Sequence, residues 1–248
     1  MKDTPFKLQD KSVLIYGDFN SLSQALIRDF TEHGADVGFI NAEKPAPGRF
    51  VDNINDTREV HTSYGRAAQI EYVIKDKKSA NDAVARMAEL FGRIDVVVDL
   101  KMQSLSVDEH DISGSKFLLE EISPFFKNKK KGRVVFIRED ASAGPLLPSG
   151  LTQNLDSEFV PWARTLSVDW PAPYFGVNSV LVGLTEDLIL RKYPKSRSIR
   201  QTFEEIKKEY PTMQFVDFKE ITPVVLFLSS QAASGVSGQC LRVTRQAS

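Results

Sequence analysis

An α/β fold, with three αβα layers around a doubly wound parallel sheet, is what the sequence predicts, on three observations. Short β-branched runs alternate with amphipathic helical stretches along the chain. The connections are short, so successive strands run parallel and are joined by right-handed crossovers. The first unit, Ser12 to Phe30, joins a strand to a helix through a tight turn at Gly17, as a Rossmann-type unit does.

Taken in order, Val13, Leu14 and Ile15 form a buried strand, and Leu22, Ala25, Leu26 and Phe30 recur at helical spacing. Such a helix aims its unpaired N–H groups and positive dipole end above the strand, where a phosphate usually sits. A dinucleotide loop requires three glycines, for the turn, for approach of the pyrophosphate and for packing of helix on strand. Gly17 alone is present; Ser21 and Ser23 stand where the others would fall. Gly34 stops the helix, and Val37 to Ile40 form a second strand ending at Asn41. That end usually carries a ribose-binding carboxylate, and Asn41 is neutral. Residues 42–69 are polar, with Pro45 and Pro47, and read as loop plus a helix of uncertain extent. Ile70 to Asp76 reads as the third strand. Ser79 then caps a helix with Ala83, Met87 and Leu90 facing inward, and Ile94 to Leu100 form the fourth strand.

A chain of 248 residues is long enough for one large domain over 1–248, and no composition break divides it. With 32 basic and 33 acidic residues the net charge is −1, which argues against nucleic acid or an anionic membrane surface as a partner. The single cysteine, Cys240, excludes an intrachain disulfide and a cysteine-cluster metal site, and is expected to be a buried thiol. His33, His61 and His110 show no metal-ligand spacing, so no metal is expected. The first residues lack the apolar core of a signal peptide, and no run suits a spanning helix; a soluble, cytoplasmic protein is expected.

Four segments, "ELFGRIDVVVD", "KKKGRVVFI", "RTLSVDWPAPYFGVNSVLVG" and "EITPVVLFLSSQAASGVSGQCLRV", resemble in order and spacing the framework of the short-chain dehydrogenase/reductase family, over nearly the whole chain. The resemblance implies a tyrosine–lysine pair that exchanges a proton with substrate while hydride moves at a nicotinamide, and a serine that holds the substrate oxygen. Here the tyrosine position falls on Thr152 and the lysine position on Asp156. A threonine hydroxyl does not ionise near neutral pH, and an aspartate repels the anion that a lysine would stabilise. The serine position falls on Arg138 or Glu139, with Ser142 a displaced substitute or an ordinary loop serine. The Asn-Asn-Ala-Gly turn of the family falls on Asp99, Leu100, Lys101 and Met102, and the relay asparagine on Asp111. The adenine-reading aspartate becomes Val73, and the Pro-Gly after the sixth strand survives as Val182 and Gly183.

Loss of the glycines, the ribose carboxylate, the adenine reader, the relay and the catalytic set together points to a site no longer used. Tyr64, Tyr72, Tyr174 and Tyr210 have no lysine four residues on and read as packing or surface aromatics. The run Lys127 to Arg133 reads as a solvated loop, or as a meeting place for a phosphate such as that of coenzyme A. A charged lid segment near 184–215 is open to two readings, a helical lid or a partner surface. The helices near Phe117–Phe126, Thr152–Asp169 and Pro223–Ser229 correspond to those by which the family assembles. The resemblance therefore implies a silent structural or regulatory subunit, with no cofactor of its own, paired with an active paralogue that carries NAD. A heterotetramer is expected, of the hydroxyacyl-CoA type known from anaerobic toluene degradation. The alternatives are a divergent stand-alone NAD(P)-dependent oxidoreductase and a small-ligand binding module in the vacated cleft.

Overall fold

The computed structural model describes residues 6–42, 60–61, 65–70, 73–100, 112–140, 160–170, 175–185, 201, 204–205, 207–208 and 215–245. The strands are β1 (Ser12–Gly17), β2 (Asp36–Asn41), β3 (Val60–His61), β4 (Arg66–Ile70), β5 (Val96–Leu100), β6 (Gly132–Glu139), β7 (Phe175–Val182) and β8 (Cys240–Val243). They form one sheet in the order β3-β4-β2-β1-β5-β6-β7-β8. Every pairing is parallel except that of β3 with β4. The strand order reverses between β1 and β5, which opens a crevice at their carboxyl ends. The helices are α1 (Ser21–Glu32), α2 (Lys77–Phe91), α3 (Ser113–Lys129) and α4 (Phe218–Ser229), and residues 160–169 are also helical.

Side chains alternate across the sheet with a period of two, and both faces are covered. Val13, Ile15, Val98 and Ile137 point to one face, where Leu26 and Phe30 of α1 and Val225 and Leu228 of α4 meet them. Leu14, Val97, Val134 and Phe136 point to the other, against Met87 of α2 and Leu118, Ile122 and Phe126 of α3. This is the predicted three-layer αβα arrangement. Gly34 takes φ +89° at the end of α1, as its role as a helix stop requires.

Three local expectations are corrected. The strand expected over Ile70–Asp76 is β4, Arg66–Ile70, which meets the expected segment only at Ile70, and Val73 lies in coil. Its place is fixed from afar: the Arg66 guanidinium lies 2.6 Å from Asp36 at the start of β2, and the Arg66 backbone N–H donates to the same carboxylate at 3.1 Å. Asp76, not Ser79, is the N-cap of α2; Ser79 is the third helical residue and returns its hydroxyl to the cap in a capping box. Cys240 is exposed because β8 is the last strand of the sheet, where alternate residues turn to solvent while Leu241 and Val243 pack on the core. Among the described residues no helix is long and apolar enough to cross a membrane.

Candidate functional site

The crevice at the carboxyl ends of β1, β5 and β6 is where an open α/β sheet takes a ligand. On its β1 side, a side chain on Gly17 would strike the Leu100 carbonyl of β5, so this glycine is required for strand packing. The chain then crosses Asp18, Phe19 and Asn20 into α1. The Phe19 ring lies edge-on to Phe39 of β2 with centroids 5.3 Å apart. Asn20 caps α1: its Oδ1 accepts the Ser23 N–H at 2.9 Å, and the Ser23 Oγ accepts the Asn20 N–H at 2.9 Å. The N–H of the cap residue and one first-turn N–H, donors that a pyrophosphate could use, are therefore taken by the capping box itself. Ser23 is fully buried beneath this cap, and Ser21 is exposed beside it. Asn41 closes β2 opposite Gly17, and the Ala42 N–H donates to the Gly17 carbonyl at 2.9 Å.

Between β5 and β6 the crevice holds an ion pair. Arg138 Nη2 lies 2.9 Å from Asp99 Oδ1, with the two side chains 5% and 1% exposed. Arg138 Nη1 donates to the Asp99 carbonyl at 2.8 Å and to the Ile137 carbonyl at 2.9 Å. The guanidinium also sits 5.7 Å from the centroid of the Phe136 ring. Phe136 in turn packs on Trp162 of the helical residues 160–169, at 5.3 Å between centroids. Glu139, next along β6, is buried at the strand end opposite Val182. Asp140 is pinned by its N–H to the Val182 carbonyl at 2.8 Å, and its carboxylate accepts from Arg242 of β8 at 3.2 Å. Arginines and carboxylates thus line the place, paired with one another across three strands.

The structure brings together Gly17, Asn41, Asp99, Leu100, Arg138 and Glu139 at one end of the sheet. It places Val73 in the coil after β4, partly exposed and with no polar group to offer. Lys101, Met102, Asp111, Ser142, Thr152 and Asp156 lie outside the described residues, as do Tyr64, Tyr72, Tyr174, Tyr210 and most of the lid segment. Sequence reasoning named Asp99 and Arg138 separately and missed their pairing. Opposite charges at the ends of two adjacent strands are the signal, and only the register makes it readable. Tested against a dinucleotide, the described residues do not fit: the α1 cap donors are taken, no carboxylate ends β2, and charged side chains fill the β5–β6 end. Among the described residues no cluster of His, Cys, Asp and Glu gathers to hold a metal.

No family model matches the chain. It is 23% identical to the NAD-dependent glycerol dehydrogenase of Listeria innocua, over 96% of this chain and 94% of that protein. It is also 23% identical to the oxidoreductase UcpA of Salmonella typhimurium, over 94% and 92%. Among solved structures, a Burkholderia xenovorans protein assigned to the short-chain dehydrogenase/reductases superposes with a TM-score of 0.76 at 18% identity, over 96% of this chain and 97% of that one.

Proposed function

We propose, from the short-chain dehydrogenase/reductase framework that these relatives and structural neighbours support, that this chain is a catalytically silent subunit that assembles with an active, NAD-carrying paralogue. The observation that carries the reading is the buried Asp99–Arg138 pair at 2.9 Å. The resemblance gives one partner to the nucleotide-binding turn and the other to the substrate-holding serine. Arg138 is committed to Asp99 Oδ1 and to two backbone carbonyls, so its guanidinium is engaged within the sheet, while the second oxygen, Asp99 Oδ2, is buried with no hydrogen bond among the described residues. The specific form of the proposal is the inactive subunit of a hydroxyacyl-CoA-type dehydrogenase, such as the 2-[hydroxy(phenyl)methyl]succinyl-CoA dehydrogenase of the benzylsuccinate pathway. No motif in this chain selects that substrate.

Native mass spectrometry of the tagged protein from its own host is the test. A stable complex with a second chain of similar size, as in a heterotetramer, with nucleotide counted on that partner alone, is the expected result. A homo-oligomer with one nucleotide per chain overturns it. The names of the relatives favour a second reading, a divergent stand-alone NAD(P)-dependent oxidoreductase, which predicts that homo-oligomer and measurable NAD or NADP affinity of the isolated chain. Under the first reading, Thr152→Tyr combined with Asp156→Lys restores no turnover, because the nucleotide loop is lost as well.

A further inference from the structure

The opposite, amino-terminal end of the sheet holds a cavity of about 100 Å³ between the starts of β5 and β6, the loop before β1 and the end of α4. Four cations line it, Lys7, Lys11, Lys131 and Arg133, against one carboxylate, Asp95. That carboxylate is already engaged: Arg93 holds it through hydrogen bonds of 2.6 and 2.7 Å, and the Ser12 N–H donates to it at 3.0 Å.

Arg133 is the unusual member. It belongs to β6 and is 8% exposed, yet its buried Nη1 has no hydrogen-bond partner among the described residues. Opposite it on β7 stands Gly176, where a side chain would press on this guanidinium, so the sheet leaves room for it. Burial lowers the Arg133 pKa, with no opposing charge acting on it among the described residues. A guanidinium nonetheless keeps its charge, and a buried charge without a counterion is expensive. Ser229, the last residue of α4, also lines the cavity, and its buried Oγ is likewise without a partner among the described residues. Its neighbour Ser230 is satisfied, donating to the Phe227 carbonyl at 2.9 Å and accepting the Ala232 N–H at 3.2 Å. Lys11 has its pKa lowered by burial and by nearby Lys131 and Arg93, despite the opposing pull of Asp95. Unsatisfied donors and surplus positive charge thus meet in one small space, with room for about three waters or one tetrahedral anion.

We propose that this cavity binds a phosphoryl oxyanion, as free phosphate or as the terminal phosphate of a larger ligand. A dianion supplies the missing charge, and its oxygens accept from the Arg133 guanidinium and the Ser229 hydroxyl together. The site is at the other end of the sheet from the crevice and is independent of whether the chain is catalytic. It also gives the lysine run before β6 a role: the run is no mere solvated loop, because Lys131 lines the cavity and Arg133 is buried in the strand.

The test is thermal unfolding of the full chain in chloride buffer, titrated with inorganic phosphate, methyl phosphate or acetate at matched ionic strength. The expected result is a saturable rise in Tm of about 2–4 °C once phosphate exceeds its Kd about fivefold. Arg133→Met abolishes the rise, and Ser229→Ala weakens the apparent affinity about tenfold. Methyl phosphate matching phosphate assigns a terminal phosphate; phosphate alone acting assigns the free ion. No specific response in the wild type, an undiminished response in Arg133→Met, or acetate acting as well as phosphate overturns the proposal. Should Arg133→Met not fold, Ser229→Ala and phosphorus-NMR line broadening of phosphate by the wild type decide the matter.

Discussion

Strand β6 carries an arginine near each end, and the two are buried in opposite ways. At the carboxyl end Arg138 meets Asp99 at 2.9 Å and two backbone carbonyls. At the amino end Arg133 is equally enclosed, with Nη1 unsatisfied among the described residues. Burial of a guanidinium is therefore no sign of a site in itself. What differs is the guanidinium's own pairing: Arg138 is committed to Asp99 Oδ1 and two carbonyls, although Asp99 Oδ2 is left without a hydrogen bond, whereas Arg133 Nη1 meets no acceptor among the described residues.

The sharpest way to break this comparison is Arg138→Met. With its partner gone, Asp99 is left buried and uncompensated, and stability falls by about 3–5 kcal/mol, read from urea unfolding. Asp99→Leu combined with Arg138→Met recovers most of that loss, since a buried pair replaced by apolar groups is often neutral. A single-variant loss under about 1 kcal/mol, the range of an exposed pair, means the pair is wet and the carboxyl end is not closed. Next in size, Gly17→Ala costs about 1–3 kcal/mol by forcing β1 from the Leu100 carbonyl, again by urea unfolding. A neutral result shows slack at the crevice where the structure shows contact.

Smaller still is Asn20→Ala, with a loss of about 1 kcal/mol, because the Ser23 N–H in the first turn of α1 loses its internal acceptor, while the backbone N–H of residue 20 keeps its bond to Ser23 Oγ. An unchanged urea midpoint shows that the Ser23 N–H was free for a ligand. The last prediction concerns pH at the amino end. Burial raises the Asp95 pKa, but hydrogen bonds from Arg93 and Ser12 and the charges of Arg93 and Lys129 outweigh it and hold the carboxyl below its ordinary range. A carboxyl with a depressed folded pKa contributes stability that is whole above its unfolded value of about 3.9 and is lost as pH falls through the folded value. The wild-type urea midpoint is expected to drop more steeply below about pH 4 than that of Asp95→Asn. Parallel slopes refute the assignment.

The sequence made the interior strands legible because they are buried on both faces and read as β-branched runs, as in Val96 to Val98 and Val134 to Ile137. Helices α1 and α2 were legible through their inward stripes. The strand β4 was not: Ala67, Ala68 and Gln69 have weak strand preference, and pairing with β2 and the Arg66–Asp36 contact decide their state. The two-residue β3 is too short to leave any period. At the crevice, the residue types alone set the expectation that the family's catalytic positions are filled by other side chains. That Asp99 and Arg138, 39 positions apart, neutralise each other depended on strand register, which no local pattern carries. The orphaned Arg133 was hidden inside a lysine-rich run that composition reads as solvent-facing.

The ion pair also couples the two positions. Exchanging Arg138 alone for a hydroxyl residue strands a buried carboxylate, and exchanging Asp99 alone strands a buried guanidinium. Each single exchange therefore passes through a less stable protein, while the paired state is tolerated by the fold. The Asp99–Arg138 contact thus acts as an interlock: the two positions can be changed together at little cost but not one at a time.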